Sequence, residues 1–298
     1  MLFGTDGIRG EVTTSPASDD EAISQLLEQR MISARLMRVV GEALSRTITL
    51  DSQVIIGWDE RPSNPDLVAA LTLGLRLGGC RVIHGGVCAT PGLHNALLET
   101  NSALGCMITA SHNPVSDSGI KVFDSSGFKT NPEREAMISE LVVQLAAEER
   151  EVDDSHREEL SKPDSQFNAN LAHQELLVVR LAEFSGMFAP PLQNKILIDS
   201  SKGAAVNWLS SFLGKCGIEA VEVSHVANAL NENCGAGELS PTDNWTWEEA
   251  SKDEHVLVRS LERIPSGHII AAALDGDGDR CLLIESTENG CRVVDGDE

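Results

Sequence analysis

QVIIGWDERPSNPDLVAALTLGLRLGGCRVIHGG, residues 53–86, sets the architecture of this 298-residue chain. Its first apolar run, Gln53 to Trp58, reads as a buried strand closed by Asp59-Glu60-Arg61-Pro62. A helix follows from about Asn64 to Gly78, and CRVIHGG (80–86) reads as a second strand. The pattern continues with a helix at Pro91–Thr100 and a strand at LGCMIT (104–109). Strands that alternate with helices build parallel βαβ units, so the class is α/β. In such a sheet the loops after the strands gather at one edge, and ligands bind there. Upstream, residues 21–47 carry one helical pattern, from Ile23, Leu26 and Leu27 to Ala43 and Leu44.

An acidic block, EEREVDDSHREEL (148–160), interrupts the alternation and reads as a solvated helix end and linker. The alternation then restarts. NKILIDSS (194–201) is a strand, Gly203–Gly214 a helix and IEAVEVS (218–224) a strand. HIIAAALDGDGDRCLLIE (268–285) is two apolar runs joined by an acidic turn. A second α/β domain is therefore expected, with its boundary near 150–170. The final VVDGDE (293–298) follows a strand end and a turn. It reads as the threshold of a third domain.

The composition narrows the function. Hydrophobic residues make up 41%, enough for sizeable cores. The net charge of −23 repels nucleic acid and anionic lipid, so neither is an expected partner. A phosphate site must then be a local exception built from Arg, Lys and backbone N–H groups. No apolar run is as long as a membrane span, and MLFGTDGIRG lacks the basic and apolar regions of a signal peptide, so the expected location is cytoplasmic. Seven cysteines, scattered and without a CxxC, read as reduced core thiols.

Three motifs carry chemistry. The first is TASHNP (109–114), where the 104–109 strand ends, with Lys121 in the apolar run that follows. A serine hydroxyl is a poor nucleophile unless a base or a positive field activates it. His112 is adjacent to Ser111, and Lys121 can return near it. No G-x-S-x-G elbow is present, so a hydrolase of that type is not supported. The plainer reading is a serine that caps the Asn-Pro turn. The second motif is DGDGDR (275–280). Asp275, Asp277 and Asp279 can converge on a hard cation, and Gly276 and Gly278 permit the tight backbone. An EF-hand does not fit, because Arg280 and Ser286 stand where glycine and glutamate are required. An aspartate-nucleophile phosphatase, with Asp275 as nucleophile and Asp277 as acid/base, and an ordinary acidic turn stay open. The third is FGTDGIRG (3–10), read as a flexible glycine loop whose Arg9 can present its guanidinium to a phosphate. Together the parts suit phosphoryl transfer, which needs mainly positioning and charge neutralisation.

FGTDGIRG, TASHNP with SGIKVF after it, and DGDGDR stand in the order and spacing of the α-D-phosphohexomutases, and the chain resembles that family over nearly its whole length. GIKVFDSSGFK (119–129) and NENCGAG (231–237) resemble, within it, the bacterial phosphoglucosamine mutases. The resemblance implies two consecutive α/β domains with mixed, mainly parallel sheets sandwiched by helices. They would span 1–160, bearing the phosphoserine, and 161–290, bearing the metal loop, with a third beginning at 291–298. It implies that Ser111 is the phosphoserine and that Asp275, Asp277 and Asp279 bind Mg²⁺ together with its phosphate. Lys121 is then a candidate general base, Arg9 supplies charge, and His112 and Arg280 support the site. The implied partners are a phosphorylated hexosamine and its 1,6-bisphosphate, with a homodimer left open. The implied reaction is an isomerisation in amino-sugar biosynthesis, glucosamine 6-phosphate to glucosamine 1-phosphate. Phosphoglucomutase or phosphomannomutase activity, or a non-catalytic relic, are the alternatives. The loop after TASHNP departs from the family, reading VSDSG where an aromatic pair and Asp-Asn-Gly are usual. The family's sugar-recognition loop and its final phosphate-binding loop are not among these residues. The chain alone is therefore expected to turn over substrate poorly while still carrying phosphate on Ser111.

Overall fold

The computed structural model of the protein describes residues 2–4, 6–148, 154–184 and 195–294. Residues 149–153 of the acidic block and 295–298 of the terminal stretch lie outside the described residues. Two compact units are present, Met1–Ala110 with Ser116–His173, and Ser111–Val115 with Gln174–Glu298. The division, between His173 and Gln174, falls within a helix; the acidic block led to a boundary near 150–170 and the resemblance to one at 160/161. The segment Ser111–Val115 groups with the second unit, although it is spelled between two strands of the first.

In the first unit the elements run β1 (Ile8–Val12), α1 (Asp19–Gln29), β2 (Met31–Ile32), α2 (Ala34–Ser45), β3 (Gln53–Trp58), α3 (Asn64–Leu77), β4 (Arg81–Val87) and α4 (Thr90–Glu99). They continue with β5 (Leu104–Ile108), β6 (Asp117–Asp124), α5 (Pro132–Ala147), α6 (Asp154–Leu160), β7 (Ser165–Gln166) and α7 (Ala169–Phe184), the helix in which the division falls. The sheet order is β2-β1-β6-β5-β3-β4-β7. Pairing is parallel for β5–β3, β3–β4, β4–β7 and β1–β2, and antiparallel around β6. Alternation along each strand divides the core between two faces. Val54, Ile56, Cys106, Ile108, Ile120 and Val122 pack with helices α1, α2, α3 and α5, while Ile55, Met107 and Phe123 pack with α4. Helices on both faces explain why the central strands read as unbroken apolar runs. The chain leaves β3 for β4 on one side, then crosses back to β5 on the other. That makes the carboxyl ends of β3 and β5, in register at Trp58 and Ile108, the topological switch where open α/β sheets bind ligands.

Two readings change here. The single helical pattern at 21–47 is two helices with a short strand between them. Arg30 ends α1 in the left-handed region (φ 54), and the Ser33 hydroxyl starts α2 by accepting from the Leu36 N–H. Periodicity alone could not see the break, because apolar residues continue through it. The glycines of FGTDGIRG are not a flexible loop either. Gly10 lies inside β1, where a Cβ would stand 1.6 Å from Arg30 O, and Gly7 has φ 90 with Ile120 O pressed against it. These glycines let backbones approach.

In the second unit β8 (Ile196–Asp199), α8 (Leu209–Lys215) and β9 (Ala220–Glu222) are followed by β10 (Asn244–Thr246), α9 (Trp247–Ala250) and α10 (Val256–Arg259). The hairpin β11 (Ile269–Leu274) and β12 (Cys281–Ser286) and then β13 (Gly290–Val294) complete it. The sheet order is β10-β13-β12-β11-β8-β9. It is parallel only over β11–β8–β9, because the acidic turn sends β12 back antiparallel, so the mainly parallel description fits the first sheet and not this one. Residues 291–294 pair within this sheet. The helix expected from Gly203 begins only at Leu209. Ser201 and Lys202 take positive φ, and the Gly203 backbone instead meets Gly276 O.

All seven cysteines are free. Five are buried as expected, with burial pushing the Cys88 and Cys106 thiols up to about 12, but Cys216 is half-buried and Cys281 is exposed at the start of β12. Among the described residues no helix is long and apolar enough to cross a membrane.

Candidate active site

The acidic turn after β11 lies at the carboxyl edge of the parallel strands β8 and β11, where Ala273 pairs with Asp199. Asp275, Asp277 and Asp279 turn their carboxylates toward one another, with one oxygen from each within 4.8 Å of the others. Asp275 and Asp277 are buried and Asp279 is exposed. Burial, then the charge of Asp277, pushes the Asp275 carboxyl up to about 6, against the downward pull of its hydrogen bond from Ser111. A buried carboxylate crowded by like charge is what a hard divalent cation relieves, and an all-oxygen donor set suits Mg²⁺. The residues therefore fit the metal expected from the sequence.

Ser111 is buried in the same unit. Its hydroxyl donates to Asp275 Oδ2 at 2.5 Å. The other Asp275 oxygen accepts from the backbone N–H groups of Asp279 and Arg280, each at 3.1 Å. One carboxylate thus joins the serine to the acidic turn. Ser111 has φ 55, a conformation that residues with a Cβ seldom adopt. His112 packs its Cβ against Gly237. Arg280 contributes its backbone N–H, and its side chain is exposed.

The expected cationic residues gather in the first unit, around an acid that the sequence reading missed. Period two along β6 turns Lys121 to the face opposite Ile120 and Val122. There it is 2% exposed and stands 3.4 Å from Asp6 Oδ2. Arg9 pairs with the same Asp6 oxygen and donates from Nε to Asp6 O at 3.0 Å and from Nη1 to Ala110 O at 3.3 Å. Lys129 donates to Asp6 Oδ1 at 2.6 Å. Burial raises the Asp6 carboxyl, but the hydrogen bond from Lys129 and the charges of Lys121 and Arg9 outweigh it and hold it below its usual value. One carboxylate therefore holds three cationic side chains together.

A second missed group braces the β5–β6 connection from beneath. Asp59 and Arg61, both with wholly buried side chains, pair at 3.1 Å after β3. Asp59 also accepts from the Thr109 hydroxyl at 2.7 Å and from Asn64 Nδ2 at 2.6 Å. Arg61 Nη1 donates to Asp117 O at 2.8 Å, and the Ser118 hydroxyl donates to Asn64 Oδ1 at 2.6 Å. Both ends of the 109–118 connection are thereby tied to the β3 loop. The Asp59-x-Arg61 spacing at a strand end was visible in the sequence, but a charged pair after a strand looks the same whether it is solvated or buried.

Residues 1–149 match the family described as phosphoglucomutase/phosphomannomutase, alpha/beta/alpha domain I. A phosphoglucosamine mutase of Streptococcus thermophilus is 30% identical over 304 residues, covering 99% of this chain and 57% of that protein. One of Desulforamulus reducens is 31% identical over 299 residues, covering 100% of this chain and 58% of that protein. The chain thus spans 57–58% of the length of these curated relatives. The fold is similar to the crystal structure of a Thermus thermophilus protein assigned as a phosphomannomutase, with a TM-score of 0.66, 23% identity, and coverage of 95% of this chain and 56% of that one. The resemblance read from the three motifs is borne out: the chain belongs to the phosphoglucomutase/phosphomannomutase family.

Proposed function

We propose that this chain is the phosphoserine- and metal-bearing part of a phosphosugar mutase that interconverts glucosamine 6-phosphate and glucosamine 1-phosphate through a 1,6-bisphosphate. One observation carries the reading. The Ser111 hydroxyl hydrogen-bonds to Asp275, a member of a three-carboxylate turn fit for a divalent cation. The names of the matched relatives support the choice of sugar.

In this reading Ser111, when phosphorylated, gives its phosphoryl group to the free hydroxyl of the bound sugar phosphate. The P–Oγ bond breaks with its electron pair going to Oγ, and a P–O bond to the sugar forms; the sugar hydroxyl's proton passes to neutral Lys121 acting as base and is returned through solvent to Oγ, which regains its hydroxyl. The bisphosphate then turns over and returns its other phosphoryl group to Ser111 Oγ. Asp275, Asp277, Asp279 and the phosphoserine would hold Mg²⁺, and the ion would supply neutralisation of phosphoryl charge. Arg9 supplies a further fixed positive charge, and His112 and Arg280 support the loops they stand on.

The deciding experiment is the intact mass of the protein isolated from its own cell, followed by phosphopeptide mapping. Phosphate on Ser111, lost in Ser111→Ala, is the expected result. A protein with no phosphate on Ser111, and no uptake of it from glucose 1,6-bisphosphate in the presence of Mg²⁺, would overturn the reading.

A further inference from the structure

We propose that Asn231 is a positioning residue for phosphoryl transfer, holding the Ser111 loop in the left-handed conformation that aims Oγ at Asp275. The proposal rests on reading Ser111 as the phosphoryl carrier. All the groups it involves lie in the second unit.

The carboxamide nitrogen of Asn231 has two hydrogens, and the loop takes both. Nδ2 donates to Ser111 O at 2.8 Å and to Asn113 O at 2.9 Å. These carbonyls belong to the Ser111–His112 and Asn113–Pro114 peptide groups, so one side chain holds the loop at both ends of the His112-Asn113 dipeptide. The orientation of the amide follows from its partners, since the reverse would set an oxygen against two carbonyl oxygens.

The clamp is itself anchored. Asn231 has φ 60, and asparagine is one of the few residue types that tolerate that region. Its backbone N–H donates to Ser201 O at 3.1 Å. Ser201 is pinned in turn, its N–H donating to Asp199 Oδ1 at 2.8 Å and its hydroxyl to Leu274 O at 2.5 Å. The other Asp199 oxygen accepts from the Gly235 N–H at 2.8 Å. A single buried carboxylate at the end of β8 therefore fixes the platform on which Asn231 stands. From the other side Ser111 O meets the backbone of Gly276, where a Cβ would come within 2.7 Å. The serine carbonyl is held between the Asn231 amide and the metal turn.

One further observation separates this residue from ordinary packing. Asn231 is 6% exposed, and its buried Oδ1 has no hydrogen-bond partner among the described residues. The contacts this amide makes with the loop are all made by its nitrogen. What this position uses is the pair of donors.

The test compares the full chain with Asn231→Asp and Asn231→Gly. The first keeps shape and backbone tolerance but replaces the donors with an acceptor facing two carbonyls. The second removes the clamp while easing the backbone, so it keeps the proposal testable if the aspartate variant does not fold. Amide hydrogen exchange in 109–116 should quicken by about tenfold or more, with β11 and β12 unchanged. Phosphoryl loading of Ser111 from acetyl phosphate, followed by intact mass, should slow by about tenfold or more at saturating donor. The half-saturating donor concentration should stay within about twofold. Unchanged exchange in 109–116, exchange that rises equally across the second sheet, or loading at the wild-type rate would each overturn the proposal. A wild-type chain that takes no phosphate on Ser111 would instead count against the mutase reading. The exchange measurement would then decide the clamp by itself.

Discussion

Ser111 reaches Asp275 from a backbone at φ 55, so the 2.5 Å hydrogen bond between them is made by a residue in a region that costs a non-glycine residue about 1–2 kcal/mol. The conformation and the contact can be separated by substitution. Ser111→Ala removes the hydroxyl and keeps the backbone cost, while Ser111→Gly removes both. Thermal unfolding should place the glycine variant above the alanine variant by about 1 kcal/mol, and neither should accept phosphate. An alanine variant at least as stable as the glycine variant would show that the loop is not strained.

The acidic turn makes a prediction with opposite signs in two conditions. Asp275 and Asp277 are buried close together, and their repulsion is present whenever no cation binds. Asp277→Asn should therefore raise the melting temperature in EDTA. With Mg²⁺ at about 100 times its dissociation constant the wild type should gain about 2.7 kcal/mol, and the variant should gain much less. Scanning calorimetry with and without Mg²⁺ checks both signs. A wild type indifferent to Mg²⁺ would remove the metal from this turn.

Much of this was legible in the sequence, because the strongest signals are local. The apolar runs at 53–58 and 104–109 and the helical period between them yield β3, α3, β4, α4 and β5 almost to the residue. Asp275, Asp277 and Asp279, whose carboxylates the fold turns toward one another, stood out in the sequence through their spacing. What stayed hidden depends on partners far apart in the chain. Asp6 matters because it meets Lys129, 123 residues away, and Asn231 because it meets Ser111, 120 residues away. The helix expected from Gly203 failed for a related reason. Its first turns are used to seat the backbone of Gly276, a contact that overrides local propensity.

Asp59 and Arg61 predict a large cost. Both side chains are wholly buried, and removing one takes the 3.1 Å partner from the other's buried charge. Asp59→Ala should destabilise the protein by about 3–5 kcal/mol, as breaking buried pairs does. Arg61→Lys keeps the charge but loses the fork that reaches Asp117 O, and should cost less. Urea midpoints of the two variants give the order. A loss below about 1 kcal/mol for Asp59→Ala would fit a solvated pair, not a buried one.

His84 supplies the pH prediction. Its Nε2 lies 2.8 Å from the Thr72 hydroxyl, which already gives its one hydrogen to Val68 O at 2.8 Å. The imidazole must therefore be the donor, with its hydrogen on Nε2. Burial pushes the ring's pKa from 6.5 down to about 4, so the folded protein keeps it neutral where the unfolded chain takes up a proton. The stability linked to His84 is then complete above pH 6.5 and is lost as the pH falls toward 4. Because the ring is only partly buried, the loss should be about 1–2 kcal/mol after solvent screening. His84→Gln cannot titrate and should lose less stability than the wild type between pH 6.5 and pH 4. Urea unfolding of the two proteins across that window measures the difference. Parallel curves would mean that the ring is as easily protonated in the folded protein as in the unfolded chain.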